Sequence, residues 1–202
     1  MTLSNYISET SFNQMNGWCT WEKANLIFKL VQESKSEISV ELGTYAGRSL
    51  TAMACAHKDN QKGFIVGFDA YKNSVCVEGT NSPLNDKFWM EQDLNKIYRE
   101  CIGSIEKYSL ADYCSIVKMR SEEAGKVIKD NCIDVLHQDS NHNVETIIAE
   151  LELWSPKVKT GGYWIADDVQ WVEAKEAYAK IPDYGFDLIA DHFEWHIYRK
   201  IK

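Results

Sequence analysis

The sequence predicts an α/β protein built on a doubly wound sheet of seven strands, mostly parallel, with an antiparallel C-terminal strand. Alternation is the first sign: short apolar runs and stretches of helical period follow one another over most of the chain. The second is that the apolar runs end in carboxylates or glycines, the turn chemistry expected at the carboxyl ends of parallel strands. Third, the last two apolar runs have no helix between them, which suits an antiparallel pair.

Taken in order, Thr20 is placed to cap a helix over 21–34, with Ala24, Ile27, Phe28, Leu30 and Val31 on its apolar side. Residues 38–42 form a short buried strand, and 47–57 a helix carrying Leu50, Met53 and Ala54. A second strand, 63–69, ends in Asp69. Residues 70–86 hold Gly, Asn, Ser and Pro without a clear period and read as a long, lid-like loop. The spacing of Trp89, Leu94, Ile97, Tyr98, Cys101, Ile102 and Ile105 predicts one helix over 86–107. A third strand covers 113–119, and Ser121 starts a helix that turns Ala124, Val127 and Ile128 inward. The fourth strand is 133–136. The helix after it lines up Val144, Ile147, Ile148, Leu151 and Trp154 and stops at Pro156. Gly161 and Gly162 turn into strand 163–166, which ends at Asp167 and Asp168. A helix at 171–180 precedes the closing strands, 184–189 and 193–199, the second with Phe193, Trp195 and Ile197 alternating inward. With no repeat or composition break, the chain reads as a single domain over 1–202 with an N-terminal helical segment, 1–36.

Composition narrows the function classes. A net charge of −8 without a basic cluster argues against a nucleic-acid partner. No apolar run reaches membrane-spanning length, and the N-terminus lacks a basic-then-apolar leader, so the expectation is a cytoplasmic protein. The six cysteines contain no Cys-x-x-Cys and read as free, mostly buried thiols. Most of the seven Trp and ten Tyr are expected in the core.

The most informative stretch is Glu41-Leu42-Gly43-Thr44-Tyr45-Ala46-Gly47-Arg48-Ser49, a strand end, a glycine turn and a helix start. A dinucleotide site needs Gly-x-Gly-x-x-Gly, and a phosphate loop needs Gly-Lys-[Ser/Thr]; neither is present. Glu41 repels a phosphate and welcomes an ammonium or sulfonium charge. The plainer reading is an ordinary strand–helix turn with a half-buried glutamate. Asp69, 26 residues after Gly43, can accept both hydroxyls of a ribose, or simply terminate its strand.

Val40 to Ser49 and the segment Val66-Gly67-Phe68-Asp69 resemble motifs I and II of the class I S-adenosylmethionine-dependent methyltransferases, enzymes with a Rossmann-like sheet. The branch that the chain most resembles is methyltransferase family 24, related to catechol-type and macrolide-sugar O-methyltransferases. Gly17-Trp18-Cys19-Thr20-x-Glu22-Lys23-Ala24, Asp139-x-x-His142 and Gly161-Gly162-Tyr163-x-x-x-Asp167-Asp168 carry that likeness from about residue 17 to the end. The resemblance implies S-adenosylmethionine as cofactor and S-adenosylhomocysteine as product. The cofactor-binding set it implies is Glu41, Gly43, Thr44, Tyr45, Gly47, Ser49, Asp69, Ala70, Ser121 and Asp139. It further implies Mg²⁺ or a similar divalent cation on Asp139, Asp167 and Asp168, with His142 as general base beside Asp139. Three converging carboxylates need a compensating cation, and hard oxygen donors suit Mg²⁺; the alternative has Asp167 or Asp168 capping the next helix and Asp139 solvated. His137 reads as packed within its strand.

Together these readings point to divalent-cation-assisted O-methylation of a small-molecule hydroxyl of sugar, natural-product or phenolic type. The rivals are a nicotinamide-dependent oxidoreductase and a cofactor-binding protein without catalysis. The oligomeric state, a homo-oligomer included, stays open.

Overall fold

Five apolar runs pair side by side as parallel strands. They are β1 (Ile38–Leu42), β2 (Phe64–Asp69), β3 (Cys114–Lys118), β4 (Ile133–Gln138) and β5 (Val158–Ala166). Two more, β6 (Phe186–Asp191) and β7 (His196–Lys200), complete a seven-stranded sheet in the order β3-β2-β1-β4-β5-β7-β6, with β7 antiparallel to both neighbours. The expected doubly wound, mostly parallel α/β sheet is therefore present. The computed structural model describes residues 1–202, the side chain of residue 173 excepted.

The helices are α1 (Glu9–Asn13), α2 (Trp21–Glu33), α3 (Arg48–Asn60), α4 (Asn73–Cys76), α5 (Pro83–Glu91), α6 (Leu94–Lys107), α7 (Ser121–Val127), α8 (Val144–Trp154) and α9 (Val172–Tyr178). Strand alternation sends side chains to two cores. On one face Ile65, Val135, Ile165 and Ile197 pack against Ile27 and Phe28 of α2 and Leu50 and Met53 of α3. On the other, Leu42, Leu136, Trp164 and Ala166 meet Leu151 and Trp154 of α8 and Ala177 of α9.

Several boundaries differ from those expected. The stretch 70–86 is not one loop: it contains α4 and the start of α5, which Ser82 caps by accepting the Asn85 N–H. The single helix over 86–107 is broken at Gln92 and Asp93, because Asp93 caps a new helix, α6, through the Lys96 N–H. Gly161 and Gly162 lie inside β5, not in a turn before it; Gly161 takes φ +84° where the β4–β5 register slips. Val127 faces solvent, since α7 packs on α8 through Ala124 and Gly125, the latter too close to Leu153 to carry a side chain. Phe193 sits in the β6–β7 turn at φ +66° and is exposed, while Trp195 and Ile197 are buried as expected.

What positions the site is register. Leu42 pairs with Phe68 and Gln138, and Gln138 with Ala166. The residues one step beyond, Gly43, Asp69, Asp139 and Asp167, therefore form a row along the carboxyl edge. The pairing itself continues past the strands, with Gly43 N–H donating to Phe68 O (2.9 Å), Asp139 N–H to Leu42 O (2.8 Å) and Asp167 N–H to Gln138 O (3.0 Å). The sheet order reverses between β1 and β4, which is where ligands bind in open α/β sheets.

Candidate active site

A cavity of about 840 Å³ opens over that row. Its lining includes Gly43, Tyr45, Asp69, Ala70, Ser121, Asp139, His142, Asp167 and Asp168, so nine of the residues singled out from the sequence meet in one place.

The glycine turn is held by Asp69. Its Oδ2 accepts the N–H groups of Thr44 (3.0 Å) and Tyr45 (2.9 Å), and its Oδ1 that of Tyr71 (2.7 Å). Burial pushes the Asp69 carboxyl up, against those three backbone donors. Tyr45 sits in the left-handed region at φ +47°, and the Tyr71 hydroxyl donates to its carbonyl at 2.7 Å. Gly43, at φ +81°, lies so close to the Asp139 carbonyl that no Cβ fits.

Four expected cofactor residues do not line the cavity. Glu41 points away from it and is fully buried, its Oε1 accepting from His137 Nδ1 at 2.9 Å. Thr44 is buried over Gly67. Gly47 turns the chain into α3 at φ +81°, with Cys101 Sγ where a side chain would go. Ser49 is buried in the first turn of α3. These four shape the turn from behind. Arg48 does likewise: its guanidinium donates to the carbonyls of Met15 (2.8 Å) and Cys19 (3.1 Å) and so pins the segment before α2.

The acids do not form the single cluster that was expected. Asp168 takes φ +54° and turns its side chain from that of Asp167, while its N–H donates to Asp167 Oδ1 at 3.1 Å. The potential metal donors divide into two groups that share Asp139: His137, Asp139 and Asp167, and Asp139, His142 and Asp168. In the first group Asp167 Oδ2 is paired with Lys23 Nζ and accepts from His137 Nε2 at 3.2 Å. Burial opposes its ionisation, yet the Lys23 ammonium and His137 hold Asp167 well below the usual carboxylate range. Burial likewise opposes the charge on His137, but its bonds to Asp167 and Glu41 raise it to about 9. Asp139 is pushed up to about 7 by burial and by the charge of Asp167.

In the second group His142 Nε2 lies 3.0 Å from Asp168 Oδ2 and 3.8 Å from Asp139 Oδ1. Burial works against its charge, and the two carboxylates outweigh that and raise it to about 10. Among the described residues, buried Nε2 nevertheless makes no aligned hydrogen bond. Two carboxylates and an imidazole nitrogen between them are a donor set that fits a divalent cation. The Trp171 ring lies 5.0 Å from the His142 ring.

Sequence reasoning gave no role in the site to Lys23, His137 or Glu150. Lys23 shared a helix face with Ile27 and Val31, which was the available signal that it is buried. His137 was expected to be packed, and it is, but as the link between Glu41 and Asp167. Glu150 of α8 lines the cavity from below, its Oε2 accepting from Gln138 Nε2 and Ser140 Oγ, each at 2.6 Å.

The cavity thus opens at the switch point, over the Gly43 turn and Asp69, and the turn is not a dinucleotide loop. The family described as methyltransferase domain matches residues 40–169, more than half of the chain, and the chain belongs to that family. It is a class I S-adenosylmethionine-dependent methyltransferase, which sets aside the nicotinamide-dependent oxidoreductase. Among solved structures it is similar to cofactor-bound Rv0187 from MTB (TM-score 0.69, 12% identity, 98% of this chain and 88% of that one). It is similar as well to the O-methyltransferase NovP (0.68, 18%, 90% and 79%). A third is the SAH-bound methyltransferase PaMTH1 of Podospora anserina (0.63, 14%, 89% and 78%). At such identities the likeness is one of fold. No curated protein matches the chain in sequence. Among the described residues, no helix is long and apolar enough to cross a membrane.

Proposed function

We propose that this methyltransferase acts on a hydroxyl oxygen of a small acceptor of sugar, natural-product or phenolic type. The observation that carries this reading is one cavity lined both by Gly43, Tyr45, Asp69, Ala70 and Ser121 and by Asp139, His142 and Asp168. Bound S-adenosylmethionine would supply an electrophilic methyl group. Asp69 would accept the ribose hydroxyls, Gly43 and Tyr45 would border the amino-acid end, and Ser121 the adenine.

Asp139 is the proposed general base. Its carboxyl lines the cavity beside His142 and, when ionised, can accept the hydroxyl proton. His142, at about 10 between its two carboxylates, holds a proton in the metal-free site and is a poor base there; as a metal ligand it would release that proton when the cation binds, so its proposed part moves from base to metal ligand. A divalent cation on Asp139, His142 and Asp168 would lower the pKa of the acceptor hydroxyl. A carboxylate has lone pairs enough to face a cation with one oxygen and take a proton with the other. Trp18, Phe88 and Trp171 offer apolar faces to the acceptor from the cavity lining, and α4 and α5, which also line the cavity, are the proposed lid over the acceptor.

Calorimetric titration with S-adenosylhomocysteine tests the cofactor half; heat of binding with one-to-one stoichiometry is expected. Mass spectrometry of reactions with sugar, polyketide and phenolic hydroxyl panels tests the other half. Methylation confined to amines or thiols would overturn the assignment to oxygen.

A further inference from the structure

We propose that Lys23 is a built-in cation that removes Asp167 from the metal-binding set, so that a divalent ion in this enzyme is held by Asp139, His142 and Asp168 alone. The inference rests on the divalent-cation reading above.

The two donor groups differ in what already occupies them. Both oxygens of Asp167 are in use: Oδ2 by Lys23 Nζ and His137 Nε2, Oδ1 by the Asp168 N–H. The His137 ring is held at both nitrogens, Nδ1 against Glu41 and Nε2 against Asp167, so no ring lone pair faces the cavity. A ring bonded to carboxylates on both sides donates from both nitrogens and is a cation. Two cations, Lys23 and His137, thus balance two carboxylates, Glu41 and Asp167, and this inner arrangement is neutral without an ion, although Glu41 Oε2 has no hydrogen-bond partner among the described residues.

The outer group is not neutral. Asp139 and Asp168 bring two negative charges against one imidazole, whose buried Nε2 lies 3.0 Å from Asp168 Oδ2 and makes no aligned hydrogen bond among the described residues. Each of the three lines the cavity.

Lys23 is built in rather than incidental. It sits in the first turn of α2, where Thr20 caps its N–H at 3.2 Å. The segment just before is pinned by Arg48 through the carbonyls of Asn13, Met15 and Cys19. The ammonium lies 5.5 Å from the Trp195 ring centroid and is 8% exposed. One nitrogen and two carboxylates also shift metal choice: such a set binds Mn²⁺ or Co²⁺ more tightly than Mg²⁺, which three carboxylates would suit better.

The test is titration of the chelator-treated full chain with Mn²⁺ by calorimetry, and with Co²⁺ by visible absorption. S-adenosylhomocysteine binding is measured in parallel on each variant. Wild type is expected to bind one Mn²⁺, and more tightly than Mg²⁺. Asp168→Asn and His142→Ala are expected to weaken Mn²⁺ at least about tenfold. Lys23→Met/Asp167→Asn, which removes both charges of the inner pair together, is expected to stay within about threefold of wild type. The Co²⁺ spectrum is expected to change in His142→Ala and to be retained in Asp167→Asn and in the conservative Lys23→Arg. Loss of Mn²⁺ in the Lys23/Asp167 double variant as severe as in Asp168→Asn would overturn the proposal, as would a Co²⁺ spectrum indifferent to His142→Ala. A wild-type protein that binds S-adenosylhomocysteine but no Mn²⁺ would overturn it too, and would leave the methyltransferase assignment standing.

Discussion

Asp69 Oδ2 accepts the backbone N–H of Tyr45 at 2.9 Å, so the carboxylate proposed for the ribose also holds the left-handed residue of the glycine turn. A left-handed tyrosine persists only where its surroundings over-determine it, and such positions gather at functional sites. Asp168, at φ +54° across the cavity, is a second case. Asp69→Asn replaces a carboxyl that accepts three N–H groups with an amide that must turn its own donors somewhere. The Kd for S-adenosylhomocysteine is expected to rise at least about tenfold, read by calorimetry.

Two glycines give opposite expectations for the same change. Gly43→Ala forces a Cβ against the Asp139 carbonyl at a φ of +81°, and is expected to destabilise by about 2 kcal/mol or more. Gly103, inside α6, has open space where a Cβ would go, so Gly103→Ala is expected to stabilise by about 0.5–1 kcal/mol. Urea unfolding of both variants checks the pair.

The proposed base predicts a pH profile. In wild type, kcat/KM is expected to rise with pH as Asp139 loses its proton, the limb lying below the value of about 7 that burial gives the metal-free site, because a bound cation favours the ionised carboxylate. Asp139→Asn is expected to lower kcat/KM about 100-fold or more and to abolish that limb. His142→Ala is expected to lower activity while keeping the limb. A limb that vanishes in His142→Ala and survives in Asp139→Asn would return the base role to the histidine.

Stability is expected to depend on His137. Its folded-state pKa, about 9, lies above the ordinary 6.5. The group therefore contributes stability that is complete below about pH 6.5 and is lost as pH rises through 9. Asp139, raised to about 7, gives a separate loss that is finished by then, so the diagnostic window is above pH 7. In chelator, the thermal midpoint of wild type is expected to fall between pH 7 and 9.5. His137→Gln should start lower and fall less steeply across that window, the remaining fall coming from His142, which is raised to about 10.

Some of this was legible in the chain alone. Local patterns have local causes: the alternation of period gave the strand and helix order, the seven strands and the antiparallel close. The residues ending the strands, Gly43, Asp69, Asp139 and Asp167, could be named because a parallel sheet delivers its strand ends to one edge. Helix breaks were harder to read. Asp93 ends one helix and caps the next within an apolar pattern that runs through both.

Only the tertiary structure decided which side chains face the cavity and which carry its charge. Side-chain direction at Glu41, Thr44 and Ser49 depends on packing against β2, β4 and α3, so residues adjacent in the motif part company: Gly43 and Tyr45 line the site, the others support it. Lys23 lies 144 residues from Asp167 in sequence, and no spacing rule joins them. The sequence determined that carboxylates would converge and need a compensating charge; the docking of α2 against the β5 end decided that a lysine supplies part of it. Charge pairing in a buried site is settled by three-dimensional neighbours, because Coulomb energy follows distance through space and burial, not position along the chain.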